Sequence, residues 1–188
     1  MSFGRLVVIA LLLAGGYQYW HTHRHHAPAT AVVASIDREW DAYGYHIVPL
    51  EKFDFAARVL RSEHYSMDRE SQLAPVDLAL GWGPMADPAV LAKVSITQSH
   101  RFYYWHVDEF PIPRREIEIH SANMHMVPAS AEVERTLKSI TAGQQVTFAG
   151  YLIEARAADG WHWRSSLTRE DTGAGACELV WVERIDAR

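Results

Sequence analysis

Behind Arg5 the chain runs Leu6-Val7-Val8-Ile9-Ala10-Leu11-Leu12-Leu13-Ala14-Gly15-Gly16 without a single charge. A stretch this apolar belongs in lipid, and it sets what the remainder can be. From Leu6 to Trp20 a helix covers about 22 Å at 1.5 Å per residue. That is short of a ~30 Å hydrocarbon core, so crossing draws on Phe3, on the flanks or on local thinning. Ala14-Gly15-Gly16 also fits a small-x-small cleavage site. Cleavage after Gly16, however, leaves Tyr17, Tyr19 and Trp20 at the start of the mature chain, whereas an uncleaved anchor uses them as an interfacial aromatic belt. The preferred reading of residues 1–20 is therefore a transmembrane signal anchor. No Cys lies near the run, which excludes a lipoprotein signal.

Arg5 lies before the run; Arg24 and the mostly neutral His21, His23, His25 and His26 follow it. The bias puts the N-terminus inside and the rest outside. The expected location is the inner membrane, single-pass, with a C-terminal domain in the periplasm. Residues 21–34 read as a polar juxtamembrane linker, in preference to a His-rich metal tract. Residues 35–188 then form one soluble domain, a length that buries a proper core without disulfides. A net charge of −5 and a pI near 6.1 argue against a nucleic-acid partner. Cys177 is the sole cysteine, so no intrachain disulfide forms.

The fold class expected is α+β, β-rich, with a mainly antiparallel sheet and two or three short helices. Phe55, Val59 and Leu60 predict a short helix over 53–61. Residues 71–86, with Ala74-Pro75 and Gly81-Trp82-Gly83-Pro84, read as irregular chain. Asp87-Pro88 starts a short helix ending near Lys93. Strands follow at 94–98 and 101–107. Glu116-Ile117-Glu118-Ile119-His120 alternates and predicts a half-exposed strand. Ser130 caps a helix with Val133, Leu137 and Ile140 on one face, and Gly143 ends it. Three strands close the chain, at 145–156, 161–168 and 178–185, with Asp159-Gly160 as a hairpin turn. A small closed or half-closed barrel is the specific expectation, with Gly150 at a bulge or corner. Trp82, Trp105, Trp161, Trp163 and Trp181 could line a groove, but most of them are expected in the core.

Two strings carry candidate chemistry. His120-Ser121-Ala122-Asn123-Met124-His125 offers two imidazoles to a metal, Zn being the natural guest, but lacks a matching Cys pair; no cofactor is expected. The second runs from Ser165 to Glu178. Gly173 and Gly175 free backbone N–H groups for an anion, and Arg169 adds a clamp. The candidate ligand-binding residues are Asn123, Ser165, Ser166, Arg169, Asp171 and Glu178. Asp171-Thr172-Gly173-Ala174 copies an aspartic-protease tetrad without its apolar strand or second motif, and is set aside. A Cys–His hydrolase remains as the enzyme alternative, with Cys177 as nucleophile and His120 or His125 as base. Against it, Cys177 alternates with Leu179 and Trp181, which predicts a buried thiol.

Asp77-Leu78-Ala79-Leu80-Gly81-Trp82-Gly83, His120 to His125 and Ser165 to Glu178 together resemble an uncharacterised group of bacterial proteins with an N-terminal membrane segment. The likeness runs roughly from Tyr45 to Ile185. It implies an anchored, outward-facing domain and brings no activity. The functional expectation is a membrane-anchored, periplasm-facing binding or accessory domain. The alternatives are the Cys/His hydrolase, metal-assisted or not, and a structural component of an envelope complex with a protein partner there.

Overall fold

One strand organises the molecule, which is known from a computed structural model describing residues 38–168 and 177–188. The expected signal anchor and linker, and the Arg169 to Ala176 part of the second string, lie outside the described residues. Among those described, no helix is long and apolar enough to cross a membrane. The organising strand is β2 (Tyr45–His64). It follows β1 (Trp40–Ala42) through the two-residue turn Tyr43-Gly44, both at positive φ. Next come β3 (Val76–Gly81), helix α1 (Pro88–Leu91), β4 (Ser95–Ser99), β5 (Phe102–His106), helix α2 (Arg114–Ile119) and β6 (Ser121–Pro128). Helix α3 (Ala131–Ser139), β7 (Gln145–Arg156), β8 (His162–Arg164) and β9 (Glu178–Ala187) complete the order.

The main sheet runs β1-β2-β3-β6-β9-β7-β8, and β2 pairs β7 as well. All of its pairings are antiparallel except β6 with β9. The length of β2 makes the double pairing possible: residues 46–58 partner β7 and residues 58–64 partner β3, and only Arg58 belongs to both ladders. Register shifts at Pro49/Glu51 and Val59/Arg61 mark bulges that bend the strand between its two partners. The sheet is curled and is not a closed barrel; β2 serves its two neighbours at different levels.

The curl gives the sheet two apolar faces. On one, Phe53, Ala57, Val59, Leu78, Leu80, Met124, Met126, Phe148 and Val180 pack with Val133, Leu137 and Ile140 of the α3 region. The Ser130 Oγ accepts from Val133 N–H and starts that helix, as its sequence predicts. On the other face, Tyr45, Ile47, Leu73, Val127, Ile153, Leu179 and Trp181 form a second cluster, with Trp161 and Trp163 at its margin. Beside Gly150 the β9 strand carries an extra residue, Glu183, so the expected bulge lies on the partner strand. A Cβ on Gly150 would overlap the Trp181 carbonyl oxygen.

Three elements differ from expectation. Residues 53–61 are strand, not helix: Phe53, Phe55, Ala57 and Val59 alternate inward, and the small Ala57 disguised that period of two. Residues 116–119 are helix, not strand. Arg114 Nε donates to Glu118 Oε1 at 2.7 Å, the i,i+4 pairing of a helix surface, and only Ile117 is buried. Residues 76–81, expected to be irregular, are β3, buried along its whole length between β2 and β6. A strand covered on both faces need not alternate in polarity.

Candidate functional site

Alternation decides which β3 and β6 side chains leave the α3-facing core. Val76, Leu78 and Leu80 point into it with Met124 and Met126; Asp77, Asn123 and His125 therefore point to the opposite face. Asp77 is the direct register partner of His125, and His125 of Leu179 on β9. Cys177 precedes that ladder by one residue and shares the Leu179 face by alternation. Three strands thus bring a carboxylate, an imidazole and a thiol to one patch.

A hairpin covers the patch. Strands β4 and β5 join through His100-Arg101, both at positive φ (53° and 69°), as a type I′ turn requires. Neither is glycine, so the turn carries left-handed strain. What it delivers is the Arg101 guanidinium, whose Nη1 donates to Asp77 Oδ1 (2.9 Å) and the Ala74 carbonyl (2.8 Å). Nη2 donates to Asp68 Oδ1 at 2.9 Å, and the group lies 3.7 Å from the Tyr65 ring centroid. Burial works against charge on Asp68, but the Arg101 hydrogen bond and charge, with help from Ser71, outweigh it and hold the carboxyl below its ordinary range.

The amides tie the hairpin down. Gln98 Nε2 donates to Asn123 Oδ1 at 2.6 Å; Asn123 Nδ2 donates to the Arg101 carbonyl (3.0 Å) and Asp77 Oδ2 (3.3 Å). Asp77 is fully buried and His125 nearly so, at 2% exposed. His125 Nδ1 stands 3.0 Å from Asp77 Oδ1, an ion-pair distance whose angle falls outside hydrogen-bond geometry. Gln98 Oε1 and Arg101 Nε are buried beside them without a hydrogen-bonding partner among the described residues. The Trp163 ring packs on the imidazole, centroids 4.6 Å apart.

A cavity of about 330 Å³ opens over this network. Phe102, Trp161 and Trp163 line it together with the buried His125, with Arg101 and Cys177, and with Glu70, His162 and Arg164. Arg69 stacks on Trp161 at 4.6 Å and makes paired bonds to Asp159, bracing that ring. Arg164 is held by Glu154, whose carboxyl the hydrogen bond from Arg156 pulls below its usual value, against burial and with help from Arg164. Burial pushes the Tyr103 hydroxyl up; its bond to Ser121 pulls down, and charge on Cys177 and Glu178 pushes up again.

Of the residues singled out in the sequence, Asn123, His125 and Cys177 meet at this patch. Cys177 is half-buried and lines the cavity, where alternation had suggested full burial with Leu179 and Trp181. Ser165 is buried, its Oγ donating to the Ser166 carbonyl and accepting from Leu179 N–H, so it secures the start of β9. Ser166 Oγ accepts from Thr168 N–H, bracing the connection. Glu178 is buried. His120 keeps away from His125: its Nδ1 is 3.0 Å from the Glu116 carbonyl and its ring faces Trp82. Among the described residues no group of three His, Cys, Asp or Glu is arranged to hold a metal. Arg169 and Asp171 lie outside the described residues.

Sequence reading missed Asp77, Gln98 and Arg101, and favoured the core over a groove for Trp161 and Trp163, which line the cavity. Asp77 had a signal: it is the one charge between Val76 and Leu78-Ala79-Leu80. Comparison with known families, with curated proteins and with solved structures found no match to this chain.

Proposed function

We propose that this chain is a membrane-tethered, periplasm-facing binding domain that takes a small ligand with a flat apolar face and polar edges, the chemistry of a sugar ring. The observation that carries the reading is the cavity itself, which is lined by the rings of Trp161, Trp163 and Phe102 together with the polar groups of His125 and Arg101. Ligand sites combine such apolar linings with a few fixed polar groups. The tether rests on the uncharged run from Leu6 to Gly16 and the aromatic residues behind it.

The strand order supports the same place. Taking β2, β3, β6, β7 and β9 as five strands, the helix lies between the third and fourth, and the third runs parallel to the fifth. We read this as a partly open barrel of the oligonucleotide/oligosaccharide-binding type. Such barrels bind on the face of the second and third strands, between the first and last inter-strand loops. Here those parts contribute His125, Glu70 and the 161–164 segment, which line the cavity. The acidic balance of the chain favours the saccharide over the nucleic acid.

Titration of the protein with a panel of saccharides, followed by tryptophan fluorescence, tests the site. A saturable change lost in Trp163→Ala, with far-UV dichroism intact, is expected; no saturable change in folded protein overturns it. Protease added to spheroplasts tests the tether: degradation is expected, and protection refutes the outward placement.

A further inference from the structure

We infer that Cys177, His125 and Asp77 form a thiol–imidazole–carboxylate set that cleaves an ester on the ligand held in this cavity. The inference rests on that cavity being the ligand site. Its basis is placement: Asp77 and His125 are register partners, His125 and Cys177 line one cavity, and Cys177 alternates onto the face of His125's other partner, Leu179.

Each member has its role from its surroundings. Asp77 is a positioning residue. Arg101 Nη1 and Asn123 Nδ2 fix its two oxygens, so Oδ1 is presented 3.0 Å from His125 Nδ1. The charge of a carboxylate at that distance favours the proton on Nδ1, although the pair makes no hydrogen bond in this geometry, and leaves the Nε2 lone pair to act as base. Trp163 against the ring limits its rotation. His120 has no part, being engaged at Glu116 outside the cavity lining.

The chemistry balances with water as the only co-reactant. The Cys177 Sγ–H proton passes to His125 Nε2, and the thiolate attacks the ester carbonyl carbon. The S–C bond forms, the C–O bond to the alcohol breaks, and the departing alkoxide takes the imidazolium proton. Water then gives a proton to Nε2 and attacks the thioester; the acid leaves and the thiolate regains its proton. The net change is ester plus water to acid plus alcohol.

The test is the rate of Cys177 alkylation by iodoacetamide in the folded full chain, from about pH 5 to pH 9. An imidazole-activated thiol is expected to show an apparent pKa below about 7.5, against about 8.5 for an ordinary one. His125→Gln should return the profile to about 8.5, and Asp77→Asn should move it the same way. With p-nitrophenyl acetate, the acetyl group should appear on Cys177 by peptide mass spectrometry and be lost in Cys177→Ser. A wild-type profile at about 8.5 or above, or no alkylation of native protein, overturns the inference whether or not the variants fold. Saccharide binding by the wild-type chain separates the two readings: binding with an ordinary thiol sinks only the ester chemistry, and an activated thiol without binding sinks only the saccharide.

Discussion

Asp77 and His125 face each other as direct partners on adjacent strands, Oδ1 and Nδ1 3.0 Å apart, with Asp77 wholly out of solvent. A carboxylate in that position must be matched, and Arg101 matches it from a strained turn. Asp77→Ala is therefore expected to cost about 3 kcal/mol, because it removes the buried counter-charge of the guanidinium and leaves it only the more exposed Asp68. Urea unfolding measures this. The double change Asp77→Leu/Arg101→Met should recover part of the loss, and an additive double variant would show that the pair is not coupled.

The turn makes an opposite prediction. His100 is exposed, sits at φ 53° and makes no described side-chain bond, so His100→Gly removes left-handed strain without removing a described hydrogen bond. A gain of roughly 0.5–1 kcal/mol is expected, the strain relieved less the extra chain entropy of glycine. A loss in thermal unfolding would refute the strain.

Gly150→Ala cannot be accommodated without moving β9, since the new Cβ overlaps the Trp181 carbonyl and comes within 3.3 Å of Glu183 N. A loss of about 3 kcal/mol or more is expected, the upper end for overpacking because the clash is with backbone. An urea midpoint equal to wild type would contradict the close approach.

Acid should weaken the domain through Asp68 and Glu154. Both carboxyls are held below their ordinary values in the folded state, Asp68 by Arg101 against burial, Glu154 by Arg156 and Arg164. A depressed folded value means stability fully present above the unfolded value and lost as pH falls through the folded one. The stability that these two carboxyls carry should thus be constant above about pH 5, and the melting temperature should decline below about pH 4. Glu154→Gln should make that decline shallower, and an identical slope would remove Glu154 from the account.

Part of this fold can be read locally. Asp87 caps α1, its Oδ1 accepting from Ala89 N–H at 2.8 Å; Ser130 caps α3; Asp159-Gly160 turns β7 into β8. Those signals act within a few residues, so order along the chain suffices to see them. The alternation of Glu116 to Ile119 misled, because so short a run suits strand or helix, and Pro113 with the Arg114–Glu118 pair decided for helix. The site belongs to the tertiary structure almost wholly. Asn123, His125 and Cys177 were legible as residue types, but Asp77, Arg101 and Trp163 became partners only through the register of β3 on β6 and of β6 on β9, and through the docking of a hairpin. A buried charge is tolerable only once its counter-charge has arrived, and that meeting is settled by strands and loops remote in sequence.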